Sequence, residues 1–325
     1  MHLRKLGSDG LEIPEIGLGC WQLGGGWGNT WDNEVAQQIL QRAYESGVRF
    51  IDTADVYGDG ASERSIGEFL RKHQDLTVVT KLGRGAIYPD GYTRATVRSA
   101  VHASLERLGV ERLDLTQLHC VPLAVLQDGA IFDWLRELRD DGLIARFGAS
   151  IETVEEGLVC LQQEGLSSLQ IIFNIFRQKP LQQLLPQAQA KGVGIIVRLP
   201  LASGLLSGKM TRDTVFGAAD HRNFNRDGQH FNVGETFAGI EYAQGIELVA
   251  EVAKHVPPTM TMAQMALRWI LDHDAVSVVI PGASSAAQIE ANASASQLAP
   301  LDSSVHASLA SLYQERIHAA VRGPY

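Results

Sequence analysis

Four residues in the first 120 positions have the right chemical types for moving a proton onto a carbonyl oxygen: Asp52, Tyr57, Lys81 and His119. Carbonyl reduction needs a proton donor at the oxygen while hydride arrives at the carbon. A tyrosine holds its proton with a reference pKa of about 10, so it is a reluctant acid near neutrality. A neighbouring ammonium such as Lys81 stabilises the phenolate and lowers that pKa. Asp52 would hold Lys81 charged and in place, and His119 would hydrogen-bond the carbonyl oxygen and orient it toward Tyr57. Taken singly, each residue has a plainer explanation: a snorkelling lysine, a structural histidine, a packed tyrosine. Together they supply an acid, a tuner, an anchor and an orienter.

These side chains need a scaffold that brings distant segments to one place. Eight short runs read as strands, near Glu15–Cys20, Arg49–Thr53, Thr77–Leu82, Asp114–Cys120, Ile144–Ser150, Ser168–Asn174, Gly194–Leu199 and Ser277–Gly282. Continuous apolar or β-branched stretches at 78–80 and 195–197 suit parallel strands buried on both faces. Amphipathic helices separate them. Asp32 caps one with Val35, Ile39, Leu40 and Ala43 on its apolar face, closed by Gly47. Thr93 caps another, with Val97, Val101, Leu105 and Leu108 in a stripe before Gly109. Thr153 to Gly165 and Thr261 to His273 read the same way. The alternation predicts one α/β domain over 1–325, a (β/α)8 TIM barrel. No Gly-x-Gly-x-x-Gly follows a first strand, which counts against a dinucleotide-binding open sheet. Residues 1–14 read as a β-hairpin turning through Gly7-Ser8-Asp9-Gly10, a plug for the N-terminal mouth. A long loop, about 205–245, separates strands 7 and 8, and a loop of that length is more often functional than idle.

In such a barrel the site forms where strands end. Asp52 and Tyr57, Lys81, His119, Ser150, Gln170, Arg198 and Pro281-Gly282 all fall at or near carboxyl ends of successive strands. Composition narrows the partners. The 325 residues carry a net charge of −9, which argues against nucleic acid or an anionic membrane. No apolar run is long enough to span a bilayer and the start lacks a signal peptide's core, so a cytoplasmic location is expected. Cys20, Cys120 and Cys160 have no metal-ligand spacing and read as reduced thiols, with no metal expected.

Phe50-Ile51-Asp52-Thr53-Ala54-Asp55-Val56-Tyr57-Gly58, Val79-Thr80-Lys81 and Asp114-Leu115-Thr116-Gln117-Leu118-His119 resemble the signatures of the aldo-keto reductases. The likeness runs from Gly17 to Asn292 and includes the whole tetrad Asp52, Tyr57, Lys81 and His119. It implies reduction of aldehydes or ketones with NADP(H), NAD(H) being the alternative. It also implies a cofactor site. Ser150 and Gln170 would hold the nicotinamide carboxamide, while Cys20, Trp21 and Asp52 border its ribose. Leu201, Ser203, Gly204 and Lys209 would follow the pyrophosphate, with Gly282, Ser284, Gln288 and Asn292 at the adenosine end. A helix starting near Ser285 would offer free N–H groups to phosphate.

Three positions depart from the family pattern. Ile151 stands where an asparagine is usual, Ala291 where many members have glutamate, and Arg198 where an aromatic stacks on the nicotinamide. A guanidinium plane can itself stack, so Arg198 joins the expected cofactor residues, with pairing to an acid as its plainer role. Stacked there, its charge would repel the oxidised ring and favour the reduced cofactor. Ser284 replaces the cation that often selects the 2′-phosphate; Arg222 and Arg226 are candidates to supply it and to clasp the pyrophosphate. Substrate selection is expected from loops containing Trp27, Trp31, Tyr88 and the 210–240 insertion, with little from the tail after Ile317. Two other functions fit parts of the pattern: a cofactor-binding regulatory protein of the kind that accompanies ion channels, and a Schiff-base aldolase acting through Lys81.

Overall fold

The computed structural model describes residues 1–25 and 30–325. Two short strands, β1 (Leu3–Leu6) and β2 (Leu11–Pro14), pair antiparallel, with Gly7 and Gly10 both at positive φ in the turn. Eight strands follow: β3 (Leu18–Gly19), β4 (Phe50–Asp52), β5 (Thr77–Leu82), β6 (Leu115–His119), β7 (Phe147–Ser150), β8 (Leu166–Ile172), β9 (Gly194–Arg198) and β10 (Val276–Val279). Each is parallel to its neighbours in sequence order, and bridges from Ile16 to Val279 and from Gly19 to Gly282 close the sheet into a barrel.

The hairpin plugs the lower mouth. Leu6 and Ile13 are fully buried in one cluster with Phe50, Val79, Leu115, Ile196 and Val278, contributed by five barrel strands. Roughly 25 cal/mol per Å² of buried apolar surface makes such a plug a substantial part of the core. The larger apolar cluster lies between the barrel and its outer helices.

The helix signals hold, with one shift of face. Asp32 Oδ1 accepts from the backbone N–H groups of Glu34 and Val35 to start the helix Asn33–Glu45. Its buried face is Ala36, Ile39, Leu40 and Ala43, while Val35 is exposed. Position 35 lies about 100° around the helix from position 36, which swings it off the stripe. Thr93, Thr153 and Thr261 each form a reciprocal capping box, on the helices Arg94–Leu108, Val154–Cys160 and Met262–Leu271.

The connection between β9 and β10 contains short helical turns and folds back over the carboxyl-terminal mouth. It is tied down from within and from the tail: Ser203 Oγ donates to the Glu235 carbonyl and accepts from Phe237 N, and Arg322 donates to Gly239 O and Asp227. The tail after Ile317 therefore bears on the mouth indirectly, by holding this loop. No helix among the described residues is long and apolar enough to cross a membrane.

Candidate active site

Strand ends bring the tetrad together. Asp52 ends β4, Lys81 is next to last in β5 and His119 ends β6; Asp52 pairs with Val79 and Lys81 with Gln117, so each successive member lies two residues further along its strand. Tyr57 is delivered by the turn after β4. That turn touches the loop after β3 backbone to backbone: a Cβ on Gly58 (φ +60) would lie 2.2 Å from Gly24 O, and one on Gly24 would lie 2.6 Å from Tyr57 C. Only glycines allow that approach, and it fixes where Tyr57 can be.

Lys81 is 1% exposed. Its Nζ donates to Asp52 Oδ1 at 2.5 Å, to the Thr53 carbonyl at 2.8 Å and to Tyr57 Oη at 3.3 Å. Burial alone would push its pKa down, but the Asp52 carboxylate and Tyr57 outweigh that and leave it raised. Lys81 is therefore an ammonium at any ordinary pH. Tyr57 responds the other way from the sequence expectation: burial raises its pKa, and the opposing effect of Lys81 is smaller. Desolvation of a phenolate costs more than one half-shared cation returns. The raised pKa keeps Tyr57 protonated near neutrality but makes it a weaker acid, and Lys81, bonded to its Oη, offsets part of that cost.

The Tyr57 and His119 rings meet edge to face, 5.9 Å between centroids. Burial, then Arg84, Lys81 and Arg198, push the His119 imidazole well below its usual range. It is a neutral hydrogen-bonding group, and its Nδ1 is buried without a partner among the described residues. Trp21 lies against Tyr57 with centroids 6.3 Å apart.

Asp52, Tyr57, His119 and Trp21 line a cavity of about 780 Å³, with Lys81 behind them. Of the cofactor residues expected from sequence, Cys20, Trp21, Asp52, Gln170, Arg198, Leu201, Ser203, Gly204, Lys209, Gly282, Ser284, Gln288 and Asn292 all line it. Ser150 does not: its Oγ lies 3.4 Å from Gln170 Oε1, and Gln170 Nε2 in turn donates to Asp52 Oδ2 at 2.7 Å. Beside Ser150, Arg198 Nη2 reaches the Ile151 carbonyl at 3.3 Å and Cys120 Sγ at 3.8 Å. Arg198 also pairs with Glu235, at 3.6 Å, so its charge is offset and its expected repulsion of an oxidised ring is weakened. Ser285 caps the helix Ala286–Ser294, as read from sequence.

The two loop arginines separate. Arg222 lines the cavity and is gripped by Asp220, at 2.6 Å. Arg226 is absent from the lining; it bonds the Arg222 carbonyl and lies over the Phe216 and Tyr242 rings. Aromatic packing of its long stem holds it away. Trp31 and Tyr88 are largely exposed and do not line the cavity, and Trp27 lies outside the described residues. The cavity is lined instead by Val56, Arg84, Phe231 and Glu235. The last two do come from the 210–240 insertion. Arg84 was visible only as the third residue past Lys81, a spacing that marks the same strand end. Cys120, Glu152 and Glu235 bring ligand-type atoms within 4.8 Å of one another. Arg84 and Arg198 already neutralise the carboxylates, and burial raises the Cys120 thiol to about 11, so this is an ion-pair network.

Asp55, two residues before Tyr57, has a buried Oδ1 without a partner. Burial, then Glu63, raises its carboxyl to about 6. The folded state thus keeps a proton that the unfolded chain releases near pH ~4, so stability declines as pH rises through the ~4–6 window. Asp55→Asn is expected to stabilise the protein by ~2–3 kcal/mol at about pH 8 and by almost nothing below about pH 4. Thermal melts at the two pH values check it; an equal gain at both would refute the titration.

With the fold and this geometry in hand, the family is settled by comparison. The aldo/keto reductase family model matches residues 15–314, and the chain belongs to that family. It is 29% identical to an aldo-keto reductase of Bacillus subtilis over 300 residues, 90% of this chain and 87% of the relative. It is 28% identical to the NADH-specific methylglyoxal reductase of Escherichia coli over 311 residues, covering 89% and 92%. The glycerol dehydrogenase of Gluconobacter oxydans superposes with a TM-score of 0.79 at 25% identity, over 99% of this chain and 98% of that one.

Proposed function

We propose that this oxidoreductase reduces the carbonyl of a small aldehyde or ketone to an alcohol with NADP(H), Tyr57 giving the proton. The observation that carries this is the Asp52–Lys81–Tyr57 chain of contacts beside a neutral His119, with Asp52, Tyr57 and His119 lining one large cavity and Lys81 buried behind them. The cavity fits a dinucleotide. Gln288 and Asn292 on the capped helix offer hydrogen-bonding groups at one end, Lys209 and Arg222 offer cations, and Gln170 offers an amide near Asp52. When bound, the nicotinamide supplies hydride. His119 orients the substrate oxygen and Tyr57 protonates it. Lys81 stabilises the phenolate left behind and Asp52 keeps Lys81 charged. Arg198 borders the nicotinamide end, with Glu235 damping its charge.

Arg222 supports NADP(H) over NAD(H), since it brings a cation to the cavity lining for an extra phosphate, although it is partly committed to Asp220. The complete tetrad favours turnover over a purely regulatory, cofactor-sensing role. A Schiff-base role for Lys81 is disfavoured because an ammonium locked by Asp52 has no free electron pair to attack a carbonyl. A cytoplasmic location and action on soluble small molecules fit the same reading. The test is a panel of aldehydes, ketones and sugars followed by loss of reduced-nicotinamide absorbance, with NADPH and NADH in parallel. Turnover of several carbonyls, faster with NADPH, is expected. Tight cofactor binding with no turnover across the panel would favour the regulatory role.

A further inference from the structure

The reductase chemistry leaves one wall of the cavity unused. Arg84 follows Lys81 by three residues, with Gly83 turning the chain at φ +111; a Cβ there would meet Val121 Cγ1 at 2.9 Å. Arg84 lines the cavity, its guanidinium 5.4 Å from the centroid of the Phe231 ring. Glu235 arrives from the long β9–β10 connection. Its Oε1 accepts from Arg84 Nη1 at 2.9 Å and lies 3.6 Å from Arg198 Nη1. Glu152 stands 3.9 Å from Arg84 Nη2 and accepts from Asn232 Nδ2. Arg84, Arg198 and Glu235 therefore share this wall with Glu152 behind them, and the four formal charges cancel. Beside Arg84, Phe231 meets the Trp21 ring with centroids 6.1 Å apart.

Resting on the reductase reading, we infer that Arg84 and Glu235 form a subsite for hydroxyl groups beside the substrate carbonyl, so that short, uncharged hydroxy-aldehydes and hydroxy-ketones are the preferred substrates. A guanidinium carries five N–H donors, and the Nη2 contact to Glu152 is too long to count as a hydrogen bond. Both guanidinium contacts to Glu235 fall on Oε1, and a carboxylate has acceptor sites on both oxygens. A hydroxyl donates and accepts, so it can join the pair without breaking it. A substrate carboxylate would have to displace Glu235 from Arg84, and the balanced charges provide no field to draw it in. A plain alkyl chain would strip water from the pair and return no hydrogen bond. Trp21 and Phe231 suit the C–H side of a short hydroxylated chain.

The test compares kcat/KM of the full-length enzyme with NADPH for substrates matched in length, corrected for aldehyde hydration: glyceraldehyde against propanal and glycolaldehyde against acetaldehyde, with glyoxylate as the charged comparator. The wild-type enzyme is expected to favour the hydroxylated member of each pair by ~10-fold or more, the size of one good polar contact. Arg84→Met should move the glyceraldehyde-to-propanal ratio ~10-fold toward unity. Because the wild-type ratio needs no variant, a poorly folding Arg84→Met leaves the test intact. A ratio at or below unity overturns the subsite. Equal loss on both aldehydes in Arg84→Met overturns it too, making Arg84 part of the scaffold. A preference for glyoxylate would replace it with an anion site. If no carbonyl in the set is reduced while cofactor binds, the reductase reading itself falls and takes the subsite with it.

Discussion

Tyr57→Phe is expected to lower turnover by ~10²–10⁴-fold, the usual cost of removing a general acid, with cofactor affinity little changed. The substitution deletes one oxygen. That oxygen is 3.3 Å from Lys81 Nζ, whereas the ring's packing against Trp21 and His119 is retained. No neighbour can take over. His119 is held neutral by burial and by three nearby cations, and a neutral imidazole is a far weaker acid than a phenol. Lys81 is an ammonium with one proton released by the loss of Tyr57 Oη, but it lies behind the cavity lining and Asp52 raises its pKa, which makes it a poor donor. Turnover measured alongside cofactor dissociation constants on one preparation separates chemistry from binding. Near wild-type turnover with an unchanged fold would remove Tyr57 from the mechanism.

Much of this was legible in the sequence because barrel strands and capped helices are written in local signals. Val78-Val79 and Ile195-Ile196-Val197 are buried on both faces, as continuous apolar runs demand. Thr93, Thr153 and Thr261 begin helices because a hydroxyl three residues ahead of a polar partner satisfies the first free N–H groups. The tetrad was legible for a different reason. Three of its members sit at or next to strand ends and Tyr57 in the turn just beyond one, so spacing along the chain translates into position around the mouth. The hairpin plug followed from the glycines of its turn.

What escaped was everything decided by side chains reaching across the mouth. Arg198 is seen in sequence only as a cation in an aromatic's place. The ion pair with Glu235, 37 positions away, depends on how an irregular loop folds back. The same loop turns Arg226 onto Phe216 and Tyr242 and leaves Arg222 facing the cavity, although the two lie one helical turn apart. The loop containing Tyr88 does reach the cavity, but through Arg84, whereas Trp31 and Tyr88 themselves are about half exposed and do not line it. The Tyr57 pKa was misjudged in sign because charge proximity is visible in sequence, whereas burial is not.

Lys81→Met is expected to lower turnover by a comparable ~10²–10³-fold, through the phenolate rather than through the proton itself. As Tyr57 releases its proton to substrate, negative charge appears on an oxygen enclosed by the cavity, and Lys81 is the one cation bonded to it among the described residues. Its loss also strands Asp52, which is 2% exposed. Breaking one side of a buried ion pair costs about 3–5 kcal/mol, so the single variant should melt at a lower temperature. The double variant Asp52→Asn, Lys81→Met removes the stranded charge, and should regain much of the stability and little of the rate. That divergence separates a role in chemistry from a role in folding. The pH profile supplies a second, independent reading. Reduction requires protonated Tyr57, so its rate falls as pH climbs through the Tyr57 pKa. Lys81 acts to lower that pKa against the effect of burial. Without it the pKa rises further, and the descending limb must move to higher pH even as the plateau drops. A limb that stays in place, with rate and stability lost and recovered together in the double variant, would reduce Lys81 to a structural partner of Asp52.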